Sequence, residues 1–347
     1  MSLRRYDHRH GTWSWVSRRT WLMMLLSLLL AAVAGCGILD KLKEASGEGD
    51  ETEEEEDEGP TILTGSKKGN YYKAATELNE VLGKKLKLDI QTTSGSFENL
   101  KTVGQNKADY AIVQLDTLIM FLRMGDPHKG WANNALGVAA LSNEYVHIIV
   151  SKKANIKTIA DLRNKRIAAG SDTSGSFVSA FTVMAYFNDV NLQKDQNTVN
   201  EPYEDSLKKL QKGDLDALVI TTSPGMPLLK QLDAGASKTI EILDVGAKVK
   251  LPQGIEYTYA VEKLPKGTYG WQTKDVHVLA TPGFLFANAK LSSSDVRKVA
   301  KKLYAKASKL RKKSGLWKLV SKDRAKKDMK FGIGFHPGAK VYLNTGK

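Results

Sequence analysis

The chain has 347 residues and a single cysteine, Cys36, so it forms no intramolecular disulfide. A packed apolar core therefore has to hold its folded part together. Its six histidines are not spaced with acidic residues as the ligands of a metal site would be. The Gly-x-Ser-x-Gly motif of serine hydrolases does not occur before a predicted helix. We therefore expect no catalytic residue, metal or cofactor, and a serine hydrolase is kept only as a remote alternative.

The sequence also lacks an apolar run long enough to span a membrane. The longest one, residues 21–34, follows the arginine pair at 18–19 and is shorter than the roughly 20 residues that a spanning helix needs. A basic start, an apolar centre and small residues before a cleavage point are typical of a secretory signal. The sequence Val-Ala-Gly-Cys at 33–36 resembles the lipobox of bacterial lipoproteins, whose cysteine receives a diacylglycerol.

Residues 1–35 are accordingly predicted to be a lipoprotein signal peptide. The Ser-Arg-Arg-x-Trp-Leu sequence at 17–22 also resembles a twin-arginine signal, so that route and general secretion both stay open. The mature protein is expected outside the cytoplasm, in the periplasm or at the cell surface, with a lipid on Cys36 as its membrane anchor. A single membrane anchor with an incidental cysteine is the alternative.

Residues 36–60 have almost no apolar side chains after their first few positions. They contain eleven acidic residues and two lysines, most of them in the run 48–58. Such a segment buries too little apolar surface to offset its ordering entropy, so it predicts a disordered acidic tether. A calcium site is the alternative, but the run lacks the turns that a ligand cage needs.

Charge is segregated along the chain. The whole sequence carries +14, the first 35 residues hold five arginines and one aspartate, and the tether is strongly acidic, which leaves +19 from residue 61 onward. A basic body favours anionic ligands. Export argues against nucleic acid as the partner, and the basic residues at 297–330 predict an amphipathic helix with a solvated basic face.

Apolar periodicity predicts alternating strands and helices in the body. The first elements in chain order are a strand at 61–64, a helix at 71–82, a strand at 86–92, a helix from Phe97 and a strand at 108–114. This βαβαβ order is that of an open α/β sheet, which binds ligands where strands end and helices begin.

A small polar turn between a strand and a helix occurs four times, at 64–66, 92–96, 170–176 and 221–225. Glycine lets a ligand approach the backbone, and the helix N-terminus favours a negative group. Two turns fall in each half of the body, which predicts two lobes facing each other across a cleft.

Two strongly β-prone segments, 144–151 and 275–288, are where the chain is expected to cross between the lobes. Lobe 1 is predicted to comprise residues 61–148 and 285–347, and lobe 2 residues 149–284. The fold class is then α/β, with two open sheets joined by a two-strand hinge that closes around a ligand.

Three motifs carry a resemblance to a known family. Thr-Gly-Ser followed by Gly-Asn-Tyr-Tyr at 64–72, Ser-Gly-Ser-Phe-Glu-Asn-Leu at 94–100 and Ala-Asp-Tyr-Ala-Ile-Val-Gln-Leu-Asp at 108–116 resemble motifs of the TAXI family. TAXI proteins are the solute receptors of one class of TRAP transporter. The resemblance covers residues 61 to about 307. It departs from the family pattern at Lys67 and Lys68, which we expect to point to solvent, and at Ser94.

The resemblance implies a type II periplasmic-binding-protein-like fold that acts as a monomer. It implies capture of a small anionic solute, a carboxylate or amino acid such as glutamate or 2-oxoglutarate. Its partner would be a TRAP-type permease driven by an ion gradient. The same receptor serving an ABC permease or a membrane sensor is the alternative that the sequence leaves open.

The polar turns and the motifs together select eleven candidate ligand-binding residues. Tyr71 would pack on the stem of the solute, the amides near Ser96 would hold a carboxylate, and Gln114 would bind polar groups. Asp116 would order its loop or receive an ammonium. The full set is Ser66, Asn70, Tyr71, Ser94, Ser96, Gln114, Asp116, Ser174, Ser176, Thr222 and Ser223.

Overall fold

A computed structural model describes residues 59–192 and 197–346 together with two short strands at 4–7 and 12–15. The chain divides into two units, Met1–Asp57 and Glu58–Lys347. In the first unit the two strands pair antiparallel. Cys36, the predicted signal peptide apart from the two short strands, and the acidic tether up to residue 58 lie outside the described residues, so these stay predictions. The described helices include none that is both long and apolar enough to cross a bilayer.

The strands in chain order are β1 Arg4–Asp7, β2 Thr12–Trp15, β3 Thr61–Leu63, β4 Asp89–Gln91, β5 Tyr110–Gln114, β6 Ala135–Ser151, β7 Ile167–Ala168, β8 Thr198–Val199, β9 Ala217–Thr222, β10 Ile240–Ile242, β11 Ala260–Leu264 and β12 Val276–Asn288. The α-helices are α1 Asn70–Leu82, α2 Ser96–Gly104, α3 Leu115–Met124, α4 His128–Asn134, α5 Gly175–Asn188, α6 Tyr203–Lys212, α7 Pro227–Lys230, α8 Ser293–Ala305, α9 Ala307–Lys313, α10 Lys322–Lys330 and α11 Pro337–Thr345. Short 3-10 turns occur at Lys84–Leu86, Lys152–Ala154, Ile159–Leu162, Ala234–Lys238 and Gly315–Trp317.

One sheet of ten strands runs through the second unit, with eight strands in the order β4-β3-β5-β12-β6-β9-β7-β8. β10 pairs with β6, and β11 pairs with β12. One half of the sheet has the order β4-β3-β5-β12-β6. The other half repeats this arrangement in the order β8-β7-β9-β6-β10. Each half of the sheet thus contains three parallel strands and one antiparallel strand that arrives from the other half.

β6 and β12 are the two crossing strands predicted from the sequence. They pair antiparallel from Leu279 opposite Val146 to Asn288 opposite Ala135. Because the crossing strands pair with each other, the two expected sheets form one continuous sheet. The predicted α/β fold class is confirmed. β6 begins nine residues earlier than the predicted strand, since Ala135–Asn143 already pairs with β12.

Three apolar clusters form the core. One draws its residues from 62–141 and 284–343, and the other two draw theirs from 146–279. In β9, Ala217 and Val219 belong to one of these last two clusters, whereas Leu218 and Ile220 belong to the other. Successive side chains of a strand point to opposite faces, so both faces of this half are covered, which explains its uninterrupted apolar run.

The basic segment 297–330 forms three helices rather than the single predicted one. Its apolar stripe is buried as expected, but the backbone is extended at Ser314 and Ser321 and interrupts the helix there. The Ser321 hydroxyl accepts a hydrogen bond from the Arg324 amide, which caps α10. Serine competes with the helix by such local bonds.

Asn99 fixes the relative position of the first two polar turns. Its side chain is fully buried in α2 and donates hydrogen bonds to the carbonyl oxygens of Thr64, at 2.5 Å, and Ile112, at 2.8 Å. Its Oδ1 accepts from the Thr93 hydroxyl at 2.6 Å. One amide therefore ties the end of β3 and the middle of β5 to the turn after β4.

Asn99→Ala is expected to lower the free energy of unfolding by about 3 kcal/mol, because it leaves two buried carbonyls and a hydroxyl without this partner. Chemical denaturation measures the change. Asn344→Ala, at an exposed position of a helix, is the matched control and should stay within about 0.5 kcal/mol of the parent. Equal effects of the two changes would contradict the role assigned to Asn99.

Candidate functional site

An inner cavity of about 120 Å³ lies where β3, β5 and β9 end and α1, α2 and α5 begin. Nine of the eleven sequence-predicted residues line it: Ser66, Asn70, Tyr71, Ser94, Ser96, Gln114, Ser174, Ser176 and Thr222. Residues far apart in sequence are therefore brought together as the four polar turns predicted. That they contact a ligand stays a prediction.

Three helix N-termini border this cavity. Gly69 and Gly95 precede α1 and α2, and neither helix has a side-chain cap, whereas the Ser174 hydroxyl caps α5 by accepting from the Phe177 amide at 3.1 Å. First-turn amides carry partial positive charge and favour a negative group. The arrangement can thus hold an anionic group without any basic side chain.

Lysine, arginine and histidine are missing from the described lining of the inner cavity. Lys67 and Lys68 instead line a larger outer cavity of about 910 Å³, together with the acidic residues Asp172, Glu201 and Glu204. Both lysines are exposed, in agreement with the expectation that they point to solvent. The two cavities share lining residues such as Asn70 and Tyr203, so the outer one leads to the inner one.

Direct hydrogen bonds join the two halves of the sheet across the cavity. Asn70 Nδ2 donates to Thr222 Oγ1 at 3.0 Å, and Gln114 Nε2 donates to Ser179 Oγ at 3.1 Å. Ser94 Oγ and Thr173 Oγ1 are 2.7 Å apart. The halves are therefore in contact on more than one side of the cavity.

Asp116, predicted to line the site, lies behind the cavity. Its carboxylate accepts hydrogen bonds from Ser179 and Tyr259, both at 2.6 Å, and burial raises its pKa. It thus links α3 to α5 and to the segment before β11. Ser223 also lies off the cavity wall, where its hydroxyl donates to Glu144 Oε1 at 2.9 Å.

Glu144 is the main lining residue that the sequence reasoning missed. It lies on β6 opposite Thr281 of β12 and is 4% exposed. Burial raises its pKa to about 8. The only signal in the sequence is a glutamate at the start of the apolar run 144–151, a pattern that predicts a strand and not a lining residue.

Thr221, Tyr203 and Met226 are further lining residues outside the prediction. Ser176 Oγ accepts from the Tyr203 hydroxyl at 2.7 Å and from the Thr221 amide at 2.9 Å, so this predicted ligand residue also holds α5 against β9 and α6. Such contacts depend on tertiary structure and have no local sequence signal.

His147, the buried histidine of β6, has structural partners. Its Nε2 lies 2.8 Å from the Tyr269 hydroxyl, and its Nδ1 lies 2.9 Å from the Tyr145 carbonyl oxygen. Burial lowers its pKa to about 4. His147 is therefore a core residue whose two ring nitrogens both have partners. His336 is also buried and accepts a hydrogen bond from the Gly338 amide as the cap of α11.

A family model matches residues 62–345, which is most of the chain and nearly all of its described second unit. The chain belongs to the NMT1-like family.

Solved structures with a similar fold include solute-binding proteins. The alkanesulfonate-binding protein of Xanthomonas axonopodis pv. citri, bound to MOPS, is 13% identical over 83% of each chain, with a TM-score of 0.44. The binding component of an ABC phosphonate transporter from Pseudomonas aeruginosa is 11% identical over 72% of this chain and 74% of that chain, with a TM-score of 0.45. An ancestral arginine-binding protein bound to arginine is 14% identical over 72% of this chain and 93% of that chain, with a TM-score of 0.44.

Gly175 lies at a close contact between the two halves. A Cβ at this position would lie 1.6 Å from Gln114 Oε1 and 2.9 Å from Ser96 Oγ. Gly175→Ala should therefore displace the Gln114 side chain from Ser179 and lower the free energy of unfolding by about 1–3 kcal/mol, as overpacking does. Chemical denaturation checks this value.

Gly65→Ala is the matched control, because Gly65 lines the same cavity and a Cβ there meets nothing within 4 Å. It should leave stability unchanged or slightly raised. If the two alanine variants were equally stable, the contact between Gly175 and Gln114 would be looser than described.

Proposed function

We propose that this protein is an extracytoplasmic solute receptor that captures a small solute bearing a negative group in the inner cavity. The main support for this proposal is the cavity itself. It is bordered by three helix N-termini and by polar side chains from both halves of the fold. An apolar cavity of about 150 Å³ accommodates a benzene molecule. The inner cavity therefore suits a solute, or part of one, of similar size.

Two polar groups in the lining have no hydrogen-bond partner within the protein, which supports a role in binding a solute. Thr221 is 8% exposed, and its hydroxyl has no hydrogen-bond partner, as is also true of the buried Tyr71 hydroxyl. Buried polar groups are normally paired, and each unpaired one costs roughly 1–3 kcal/mol. A polar solute would supply these missing partners.

Closure of the two halves would trap the solute. β6 and β12 are the only described strands that belong to both halves, and hinge motion at them would open the contacts made by Asn70 and Gln114. The body's charge of +19 beyond residue 60 favours the approach of anionic solutes.

The partner in this proposal is a TRAP-type permease, with the receptor held at the membrane by a lipid on Cys36. Its support is the set of residues at 64–72, 94–100 and 108–116 that resemble the TAXI receptors. Uptake that depends on an ion gradient and persists without ATP would agree with this partner. Uptake that requires ATP would favour an ABC permease.

A thermal-shift screen of small carboxylates and amino acids on the purified, refolded protein tests the binding function. A compound that binds only the native state raises its melting temperature. Thr221→Val and Tyr71→Phe should leave the solute-free protein at least as stable as the parent, because the hydroxyls that they remove have no partner. Both should weaken solute binding by about 5- to 100-fold.

Thr281→Val is the matched control. Thr281 also has a buried, unpartnered hydroxyl, but it does not line the inner cavity. Its removal should leave solute affinity unchanged. A panel in which no compound shifts the melting temperature would count against the receptor function, and equal losses in all three variants would count against this location of the site.

A further inference from the structure

Most of the positive charge of the body lies outside the proposed solute site. Residues 297–330 contain fifteen basic and two acidic side chains, so they supply +13 of the +19 carried from residue 61 onward. None of them belongs to the described lining of the inner or the outer cavity. Attraction of an anionic solute to its cavity therefore does not explain why the charge is concentrated here.

These basic side chains lie in water, and most of them have no acidic partner. Thirteen of the fifteen are exposed, and the other two are partly buried. Three form an ion pair within the described residues: Lys298 with Asp295, Lys313 with Glu80 and Arg324 with Asp328. Like charges at this density repel each other and disfavour the compact state. A negative partner would remove that repulsion.

Contacts between the helices join these side chains into one surface. Arg311 Nη1 of α9 donates to the Val320 carbonyl oxygen, just before α10, at 2.6 Å. Lys322 Nζ of α10 lies 4.8 Å from the centre of the Tyr342 ring of α11, and that ring lies 5.9 Å from the Tyr304 ring of α8. The solvent-facing sides of α8, α9 and α10 are therefore neighbours. We call the exposed basic residues of 297–330 the basic surface.

Two exposed aromatic rings lie at the edge of the basic surface. Tyr257, at 73%, and Phe331, at 60%, are the most exposed of the large apolar side chains described. Their ring centres are 6.4 Å apart, and Lys327 Nζ lies 5.8 Å from the centre of the Phe331 ring. Single exposed apolar side chains are normal, whereas exposed ones that cluster mark an interaction site. The aromatic pair and the basic surface therefore belong to one contact.

The composition of the basic surface favours a lipid bilayer over a protein as its partner. Twelve of the fifteen basic residues are lysine. Protein interfaces are enriched in arginine and depleted in lysine, because the planar guanidinium group pairs with carboxylates in a fixed geometry. A bilayer of anionic lipids attracts either side chain without a fixed geometry, and its headgroup region accepts aromatic rings. Nucleic acid carries the same charge, but the predicted export separates this protein from it.

We propose that the basic surface docks the body on a bilayer that contains anionic phospholipids, with Phe331 and Tyr257 in the headgroup region. This contact is separate from the lipid predicted on Cys36 and from the binding of a solute. A lipid on Cys36 limits how far the body moves from the membrane. Docking through the basic surface determines which face of the body meets it.

Co-sedimentation of the full chain with phospholipid vesicles tests this docking. The variant Cys36→Ser receives no lipid, so its binding does not depend on the predicted anchor. It should bind vesicles of phosphatidylglycerol and phosphatidylcholine at least roughly tenfold more tightly than vesicles of phosphatidylcholine alone. The difference should shrink as salt is added, because exposed charges are screened. Equal binding to both kinds of vesicle would overturn the proposal.

A triple variant locates the contact. Lys326→Gln, Lys327→Gln and Lys330→Gln together remove three exposed charges beside Phe331. In the Cys36→Ser protein they should weaken binding to the anionic vesicles by roughly 100-fold, since each basic side chain near such a surface contributes about fivefold.

The matched control removes the same charge elsewhere. Lys152→Gln, Lys212→Gln and Lys238→Gln change three exposed lysines outside 297–330 and outside both cavities. This control should weaken vesicle binding by less than about fivefold, because these lysines do not approach the bilayer. Equal losses in the two triple variants would mean that net charge alone attracts the protein, and would overturn the assignment to the basic surface.

Phe331→Ala tests the aromatic part of the contact. It should weaken binding to the anionic vesicles by about 3- to 10-fold, because the ring no longer leaves water for the headgroup region. Met124→Ala, at a side chain that is 43% exposed outside the basic surface, is its control and should have no effect.

A soluble polyglutamate chain distinguishes a bilayer from an acidic protein as the partner. If polyglutamate bound as tightly as the anionic vesicles, with no effect of Phe331→Ala, the surface would fit an acidic protein segment and the proposal would be overturned. If the lysine variant did not fold, the lipid dependence and Phe331→Ala would still decide the question. The assays contain no solute, so their outcome is independent of the receptor function.

Discussion

The antiparallel pairing of β6 with β12 is the interaction on which the rest of the described fold depends. These strands are hydrogen-bonded from Leu279 opposite Val146 to Asn288 opposite Ala135, and each also joins the parallel strands of one half. The pairing sets the distance between the halves. It also places Glu144 in the only part of the described sheet that both halves share.

Polar contacts near these strands show how a close approach of two halves is stabilised without a disulfide. Asp116 accepts hydrogen bonds from Ser179 and Tyr259, and Gln114 reaches Ser179 beside Gly175, where a glycine leaves room for the amide. Buried networks of this kind are favourable only when their members are satisfied. The Asp116 carboxylate has hydrogen-bond partners within the protein, whereas the hydroxyls of Thr221 and Tyr71 have none. This difference separates the groups that hold the two halves together from two cavity hydroxyls that have no partner within the described protein.

The charged side chains are also divided between the surface and the inner cavity. Basic side chains are abundant in the body but stay on its surface, as Lys67 and Lys68 do at the outer cavity. Within the inner cavity the positive potential comes from helix N-termini, and the one acidic group is Glu144. Backbone amides cost less to bury than lysine, since their partial charges belong to hydrogen-bonded helices. Backbone amides and one carboxyl group, rather than lysine side chains, therefore determine the charge of the inner cavity.

Local patterns in the sequence determined the fold class, the crossing strands and nine lining residues. A strand, a small polar turn and a helix are neighbours in the chain, so residues such as Ser96 and Ser174 could be predicted from their own surroundings. Only the tertiary structure decided that Asp116 lies behind the cavity, that Glu144 lines it and that the segment 297–330 breaks into separate helices. The reason is that burial and hydrogen-bond partners are set by segments distant in sequence, such as Tyr259 for Asp116 and Ser223 for Glu144. No local periodicity contains that information.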